Sequence, residues 1–242
     1  TSKITDVTID PDHGLPDINP DNNEQKVAPE NISANNVIQH YIPAIGGKDT
    51  LESVKDLSVT YTGIIQGQNI QVVQNYKSPD KYYMEVRLPD VNMIAVKIVV
   101  NGDSVSVEQQ GKKVPVSNER KEALQENTKI FPELFYNESG YKTEINPMIE
   151  KVNDKDTYVL TVTDSSGSVT KNYFDAVSGL KLRADNITTQ GEAATSVVWS
   201  DYREVNGIKF PYSIETNNFG PDILLTAKSI SVNSGLADDD FK

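Results

Sequence analysis

The stretch Asn75–Lys113, NYKSPDKYYMEVRLPDVNMIAVKIVVNGDSVSVEQQGKK, decides the fold of this chain. Between its polar breaks SPD, PD and NGD, apolar residues alternate with other residues, as in Tyr82, Met84, Val86 and Leu88. A period of two is typical of a strand with one buried face, and breaks of this composition are typical of turns between antiparallel strands. The stretch therefore predicts an antiparallel meander.

The same pattern extends over most of the 242 residues. About a dozen strands at hairpin spacing, with few helices between them, favour one large antiparallel sheet that curls into a barrel or half-barrel. We therefore predict a mainly β fold with eleven or twelve strands and a helical lid. The predicted strands are Leu57–Tyr61, Ile70–Tyr76, Tyr82–Leu88, Met93–Val100, Val105–Gln109, Tyr141–Val152, Thr157–Thr163, Val169–Phe174, Leu180–Ile187, Thr195–Tyr202, Ile208–Thr216 and Ile223–Val232.

Two segments depart from the strand pattern. The first has an N-cap candidate at Ser33, apolar residues at helical spacing and Gly46-Gly47 at its end, which predicts a helix with a kink or break at Pro43. A second short helix, Asp49 to Val54, is predicted to follow it. The other segment, residues 117–136, begins with helix formers and gathers its apolar residues late, which predicts a helical insertion between strands.

Residues 1–30 differ from the rest because they are rich in Asp, Asn and Pro and poor in apolar residues. Such a segment buries too little surface to offset the entropy of ordering, so we predict a linker or extended arm before a domain at 31–242. Asp10, Asp12 and Asp17 raise the alternative of a calcium loop, but Gly14 falls too early for an EF-hand. Because the chain begins at Thr1 without a leader-like pattern, we expect a processed chain.

Charge and composition disfavour several classes of protein. The net charge of -12 repels nucleic-acid phosphates and anionic head groups. The chain has no Cys, so it forms no disulfide and offers no thiolate. Its longest apolar segment, Met93–Val100, is interrupted by Lys97 and falls short of the ~18 apolar residues that span a bilayer. We therefore expect no nucleic-acid partner and no transmembrane segment.

Catalytic patterns are absent from the sequence. Neither His13 nor His40 stands in an H-x-x-E-H context, and His40 is predicted to be a surface or half-buried helix residue. The sequence has no Gly-x-Ser-x-Gly elbow, no Walker A loop and no G-x-G-x-x-G. We expect no catalytic residue, no metal site and no cofactor, and we interpret the abundant carboxylates as a solvated face. An unrecognised hydrolase stays as an alternative.

The meander resembles the outer-membrane lipoprotein-sorting family of the periplasmic carrier LolA and its receptor LolB. The Pro-containing turn in Tyr76–Tyr83 and the Gly turn in Val100–Val105 are similar to that family's turns. Ile45–Leu51 and Asp201–Tyr212 resemble envelope proteins of the Bacteroides group, in which similar domains also occur behind insulinase-type zinc peptidase domains. The family has an arginine before the turn proline that helps to close the lid, and Ser78 stands there in this chain.

The resemblance implies a periplasmic half-barrel that binds a hydrophobic small molecule or a lipoprotein acyl chain between sheet and lid. The departure at Ser78 argues against the carrier's full lid mechanism. The alternative is an accessory domain of a zinc peptidase or another envelope partner, with no ligand of its own. Each apolar side chain can also be plain core. The predicted ligand-binding residues are Tyr82, Met84, Val86, Phe131, Leu134, Phe135, Trp199, Phe210 and Tyr212.

Overall fold

A computed structural model describes residues 6–8, 24–188, 190–218 and 220–242. Its helices are α1 (Ala34–Ile45), α2 (Lys48–Glu52) and α3 (Asn118–Glu126), with short 3-10 turns at Pro89–Val91, Pro132–Phe135 and Asp238–Phe241. The strands are β1 (Asp6–Thr8), β2 (Glu24–Lys26), β3 (Asp56–Ile65), β4 (Gln68–Lys77), β5 (Lys81–Leu88), β6 (Met93–Asn101), β7 (Ser104–Gln109), β8 (Lys112–Val114), β9 (Lys142–Ile145), β10 (Glu150–Val152), β11 (Lys155–Thr163), β12 (Val169–Asp175), β13 (Lys181–Ile187), β14 (Ala193–Val205), β15 (Ile208–Thr216) and β16 (Ile223–Val232).

Fourteen of these strands form one curved antiparallel sheet. Its spatial order is β10-β11-β12-β13-β14-β15-β16-β3-β4-β5-β6-β7-β8, and β9 also pairs with β11. The last strand, β16, pairs with β3, which is the first strand of this sheet in chain order. The first and last strands are therefore neighbours in the middle of the sheet. Within the described ranges, the outer edges at β8 and at β9 and β10 do not pair with each other. The predicted mainly β, half-barrel class is confirmed.

The meander of the opening stretch is confirmed in detail. Hairpin turns join β4 to β5 and β6 to β7, and Tyr82 on β5 lies opposite Val100 on β6. The sheet has more strands than the predicted eleven or twelve for two reasons. The three-residue β8 is too short to show a period, and the predicted strand Tyr141–Val152 is two strands. Pro147, which has no N–H to donate to a ladder, lies in the break between them.

Helix α1 covers part of the inner face, which is the face of the sheet that carries most of the core. Ser33 caps the helix by accepting a hydrogen bond from the Asn36 N–H at 3.2 Å, as predicted. Of the predicted kink or break at Pro43, the break is wrong, because the helix continues to Ile45 before it ends at Gly46, and the kink stays a prediction. Proline removes only the one helical hydrogen bond that its own N–H would donate. Five apolar residues of α1 are buried against the sheet: Val37, Ile38, Tyr41, Ile42 and Ile45.

Near the N-terminus, the short strands β1 and β2 pair with each other. The chain then joins the domain through a β-bridge between Val27 and Met148 and an ion pair of 2.6 Å between Lys26 and Asp156. The calcium-loop candidates Asp10, Asp12 and Asp17, like His13, lie outside the described residues. The assignment of residues 1–30 to a linker or arm stays a prediction.

Among the helices that the structure describes, none is both long enough and apolar enough to cross a membrane.

Candidate binding site

A cavity of about 700 Å³ lies between the inner face of the sheet and residues 126–136 of the inserted segment. Ligand pockets in proteins typically measure about 300–1,000 Å³, so this space is large enough for a small molecule. The inserted segment, defined as residues 117–136, consists of α3, a connecting stretch and the 3-10 turn at Pro132–Phe135. It lies between β8 and β9, and the structure places its end against the cavity.

The wall formed by β3 to β6 is free of charged groups among its described lining residues. Alternate residues of each strand point to the inner face, which is why period-two patterning produces a continuous and mainly apolar wall. Val59 on β3 and Val72 on β4 are almost fully buried within it. This wall contains Leu57, Val59, Tyr61, Val72, Gln74, Tyr76, Tyr82, Met84 and Ile98.

An ion pair joins the inserted segment to β13, another strand that lines the cavity. The Lys181 ammonium on β13 donates to Oε1 of Glu133, which lies in the 3-10 turn. The Glu133 side chain is 2% exposed and that of Lys181 is 14% exposed. The Lys181 ammonium also lies 4.8 Å from the ring centre of Trp199, where a cation–π contact stabilises it. Two buried charges thus neutralise each other in the cavity wall.

A second polar cluster surrounds Glu126 at the end of α3. Its carboxylate accepts hydrogen bonds from Lys129, from the Tyr141 hydroxyl and, at 2.8 Å, from the Ser165 hydroxyl. Although burial raises the pKa of Glu126, these three hydrogen bonds outweigh it and hold the pKa below its ordinary value. The Glu126 carboxylate is therefore ionised at neutral pH and fixes Lys129 in place.

Tyrosines are the most frequent aromatic residues of the cavity. Seven of the eleven tyrosines in the chain line it: Tyr41, Tyr61, Tyr76, Tyr82, Tyr136, Tyr141 and Tyr202. Burial raises the pKa of Tyr41 well above its ordinary value, and the negative charge of Glu133 adds to this effect. Burial likewise raises the pKa of Tyr61 and of Tyr136. These hydroxyls therefore stay neutral at physiological pH.

The structure brings together five of the nine predicted ligand-binding residues, namely Tyr82, Met84, Phe131, Trp199 and Phe210. The rings of Phe131 and Phe210 lie 6.3 Å apart and connect the inserted segment to β15. The other four do not line the cavity. Val86 and Leu134 belong to the core, the Phe135 ring lies 5.8 Å from the Lys129 ammonium, and the Arg203 guanidinium lies 4.6 Å from the ring centre of Tyr212. A ligand contact at any of the nine stays a prediction.

The sequence interpretation missed the charged and hydroxyl groups of the cavity. A signal was present at Glu133, which is a single charge within the apolar run IFPELFY at residues 130–136. A charge in such a run needs a partner when it is buried. The partner, Lys181, could not be identified because it lies 48 residues away and lysines are common.

The described residues contain no group of three His, Cys, Asp or Glu side chains placed to hold a metal ion. His40 is exposed on α1, in agreement with its predicted place on the helix surface.

Comparison with known proteins identifies solved structures with a similar fold. No protein-family model and no curated protein sequence matches the chain. A DUF1329 family protein from Desulfovibrio piger aligns with a TM-score of 0.58 and 15% identity over 86% of this chain and 96% of that one. A LolA superfamily protein from Nitrosomonas europaea aligns with a TM-score of 0.57 and 12% identity over 87% and 98%.

A third structure, described as an outer membrane lipoprotein-sorting protein domain from Vibrio parahaemolyticus, gives a TM-score of 0.56 and 14% identity over 86% of this chain and 95% of that one. Identities this low establish a common fold and leave the activity to be argued from the site. The chain therefore has the fold of LolA-superfamily and lipoprotein-sorting domains.

Proposed function

We propose that the chain is a non-catalytic cell-envelope domain that binds the acyl chain of a lipid or lipoprotein in its cavity. The observation that carries the proposal is a space of about 700 Å³ with an uncharged wall on β3 to β6. Removing an acyl chain from water into such a space is favourable by about 0.8 kcal/mol per buried CH₂ group. The shared fold supports an envelope location, since one structure of this fold is described as an outer membrane lipoprotein-sorting protein domain.

In this proposal the inserted segment acts as a lid. Its end contributes Ile130, Phe131 and Tyr136 to the cavity wall. Side chains provide its main links to the sheet, through the Glu133–Lys181 ion pair and the Phe131–Phe210 ring contact. Contacts of this kind can separate without breaking the backbone ladder of the sheet, so a ligand can enter when the segment moves away.

The five predicted residues that line the cavity are proposed as direct contacts of the acyl chain. Tyr82 and Met84 belong to the uncharged wall, and Phe131, Trp199 and Phe210 belong to the inserted segment, β14 and β15. Val86 and Leu134 are proposed to support these contacts from the core.

A second candidate function is that of an accessory domain for another envelope protein, such as the insulinase-type zinc peptidases of the Bacteroides group. Ile64 on β3 and Leu224 on the neighbouring strand β16 favour it, because they are 64% and 57% exposed. Exposed apolar pairs on an outer sheet face are suited to contact with another protein. In this alternative the cavity has no ligand.

Binding of N-phenyl-1-naphthylamine tests the first proposal, because the fluorescence of this probe increases in apolar surroundings. Titration of the delipidated chain should give a saturable signal. Val197 lines the cavity, and the change Val197→Trp should fill part of the space and weaken binding by about tenfold or more. Val177→Trp makes the same change at an 88% exposed position and should leave binding unchanged. Absence of saturable binding to the folded wild-type chain would support the accessory-domain alternative.

A further inference from the structure

Three buried tyrosine hydroxyls in the cavity have no hydrogen-bond partner. Tyr41, Tyr61 and Tyr136 are 7%, 6% and 7% exposed, and all three line the cavity. Within the part of the chain that the structure describes, none of these hydroxyls bonds to another group, and none is sealed away from the cavity. The hydroxyls are therefore available to a molecule that occupies the space.

The other cavity tyrosines interact with neighbouring protein groups, which sets these three apart, and the Tyr76 side chain interacts with that of Tyr82. The Tyr202 hydroxyl donates to the Lys181 carbonyl oxygen at 2.6 Å. The Tyr82 hydroxyl accepts from the Gln74 amide at 3.3 Å, and the Tyr141 hydroxyl donates to Glu126. Fully or nearly buried hydroxyls normally have a partner, since an unsatisfied one costs about 1–3 kcal/mol.

The unpartnered hydroxyls lie near one another and near the ion pair. Tyr41 interacts electrostatically with Glu133, Tyr136 and Tyr202, and Tyr202 interacts with Tyr61. Tyr41 and Tyr136 thus form a polar cluster with Glu133, and Tyr61 on β3 is linked to it through Tyr202. The cavity therefore combines this polar cluster with the uncharged wall of β3 to β6, to which Tyr61 belongs.

The electrostatics of the cluster favour a neutral ligand group. Of the three lysines that line the cavity, Lys181 is bound to Glu133 and Lys129 is bound to Glu126 and to the Tyr141 hydroxyl at 2.6 Å, while Lys209 is exposed to solvent. An anionic head would lie beside the Glu133 carboxylate, while a cationic head would compete with Lys181 for it. Neutral ester or hydroxyl oxygens accept hydrogen bonds from tyrosine without disturbing either ion pair.

We propose that the ligand is an uncharged amphiphile with ester or hydroxyl oxygens next to its acyl chain, of the acylglycerol class. Its chain lies on the wall formed by β3 to β6, and its oxygens accept hydrogen bonds from Tyr41, Tyr61 and Tyr136. This inference rests on the proposed acyl-chain function and specifies the chemistry of the head that accompanies the chain.

Displacement of N-phenyl-1-naphthylamine by three amphiphiles with the same dodecyl-length chain tests the head preference. Monododecanoylglycerol is neutral and oxygenated, dodecanoate is anionic, and dodecyltrimethylammonium is cationic. We expect the glycerol ester to bind about tenfold more tightly than either charged amphiphile. Equal affinities for all three would overturn the inference and leave the acyl-chain function standing. Failure of every amphiphile and of the probe to bind would overturn both.

Tyr→Phe changes test the hydroxyls themselves, because they remove one oxygen atom and keep the ring. Each of Tyr41→Phe, Tyr61→Phe and Tyr136→Phe should weaken binding of monododecanoylglycerol about two- to tenfold, and should leave binding of the oxygen-free probe unchanged. Tyr83→Phe is the control. The Tyr83 hydroxyl donates a hydrogen bond of 2.7 Å to Glu85, and Tyr83 does not line the cavity. If all four variants bind the glycerol ester as wild type does, the inference is wrong.

Discussion

Glu133 of the inserted segment accepts a hydrogen bond from the ammonium of Lys181, although the two residues are 48 positions apart in the chain. The pair is almost completely buried, and the Trp199 ring lies 4.8 Å from the same ammonium. One ion pair therefore fixes the position of the proposed lid against β13. Since both charges belong to the cavity wall, we expect the pair to affect the stability of the fold and the access to the site together.

Breaking this pair should destabilise the protein strongly. Lys181→Met leaves the Glu133 carboxylate buried without a partner and should lower the free energy of unfolding by about 3 kcal/mol. The double change Lys181→Met with Glu133→Gln should recover most of the loss, because no charge is then buried alone. Urea unfolding of the single and double variants measures both effects.

The control for this prediction is Lys48→Met, which removes the exposed i,i+4 pair of Lys48 and Glu52 on α2. Exposed pairs of this kind contribute little, so this variant should lose no more than about 0.5 kcal/mol. Equal losses for Lys48→Met and Lys181→Met would show that burial does not determine the contribution of the Glu133 pair.

The C-terminal 3-10 turn should contribute stability that depends on pH. Asp238 bonds to Lys77 at 2.8 Å and to Lys81 at 2.9 Å, on either side of the turn at Ser78 and Pro79. The hydrogen bond from Lys77, followed by that from Lys81, lowers the pKa of Asp238 from 3.8 to about 2. A depressed folded-state pKa gives a contribution that is complete above about pH 4 and is lost as the pH falls toward about 2.

Melting temperatures of wild type and Asp238→Asn across this pH range test the direction in which the contribution of Asp238 changes with pH. The wild type should melt higher at pH 5 to 7, and the difference should shrink steadily on acidification toward about pH 2. A difference that grows as the pH falls would show that Asp238 does not act as an ionised partner of the two lysines.

The end of α1 should tolerate no side chain at Gly46. Its φ of 144° is unusual for other residues, and an added Cβ would lie 2.7 Å from the Gly207 carbonyl oxygen in the turn before β15. The next residue, Gly47, also has a positive φ, of 84°, but no atom lies within 4 Å of its added Cβ. Comparing alanine substitutions at the two positions therefore distinguishes the effect of backbone strain from that of steric contact.

We expect Gly47→Ala to lose about 1 kcal/mol of unfolding free energy, from backbone strain alone. Gly46→Ala should lose at least about 2 kcal/mol more, since α1 must move away from β15. Thermal or urea unfolding of the two variants measures the difference. Equal losses would mean that the contact between α1 and the β14–β15 turn is not tightly packed.

The sheet could be predicted from the sequence because the features that specify its strands and turns lie close together in the chain. Period-two alternation, as in Tyr82, Met84 and Val86, reports which side of a strand is buried, and the turn sequences separate one strand from the next. The inserted segment was predictable for the complementary reason, since the alternation stops at Ser117. Short strands such as β8 escape this approach because three residues do not define a period.

The cavity could be predicted only in part, because its walls come from distant parts of the chain. Apolar residues on strands were identified, but apolar character alone does not separate Met84, which lines the cavity, from Val86, which belongs to the core. The polar part depends on partners far apart in sequence. Whether the Tyr41 hydroxyl on α1 finds a partner is decided by the packing of the helix against the sheet.

Quenching of Trp199 fluorescence by a dibrominated acyl chain tests the central claim most directly. Trp199 is the single tryptophan of the chain and lines the cavity, so its emission reports on that space alone. The combination Trp199→Phe with Val177→Trp moves the single tryptophan to an exposed site and serves as the control. The account predicts saturable quenching in the wild type and none in the control. A wild type that is not quenched, or a control that is quenched equally, would contradict acyl-chain binding in the cavity.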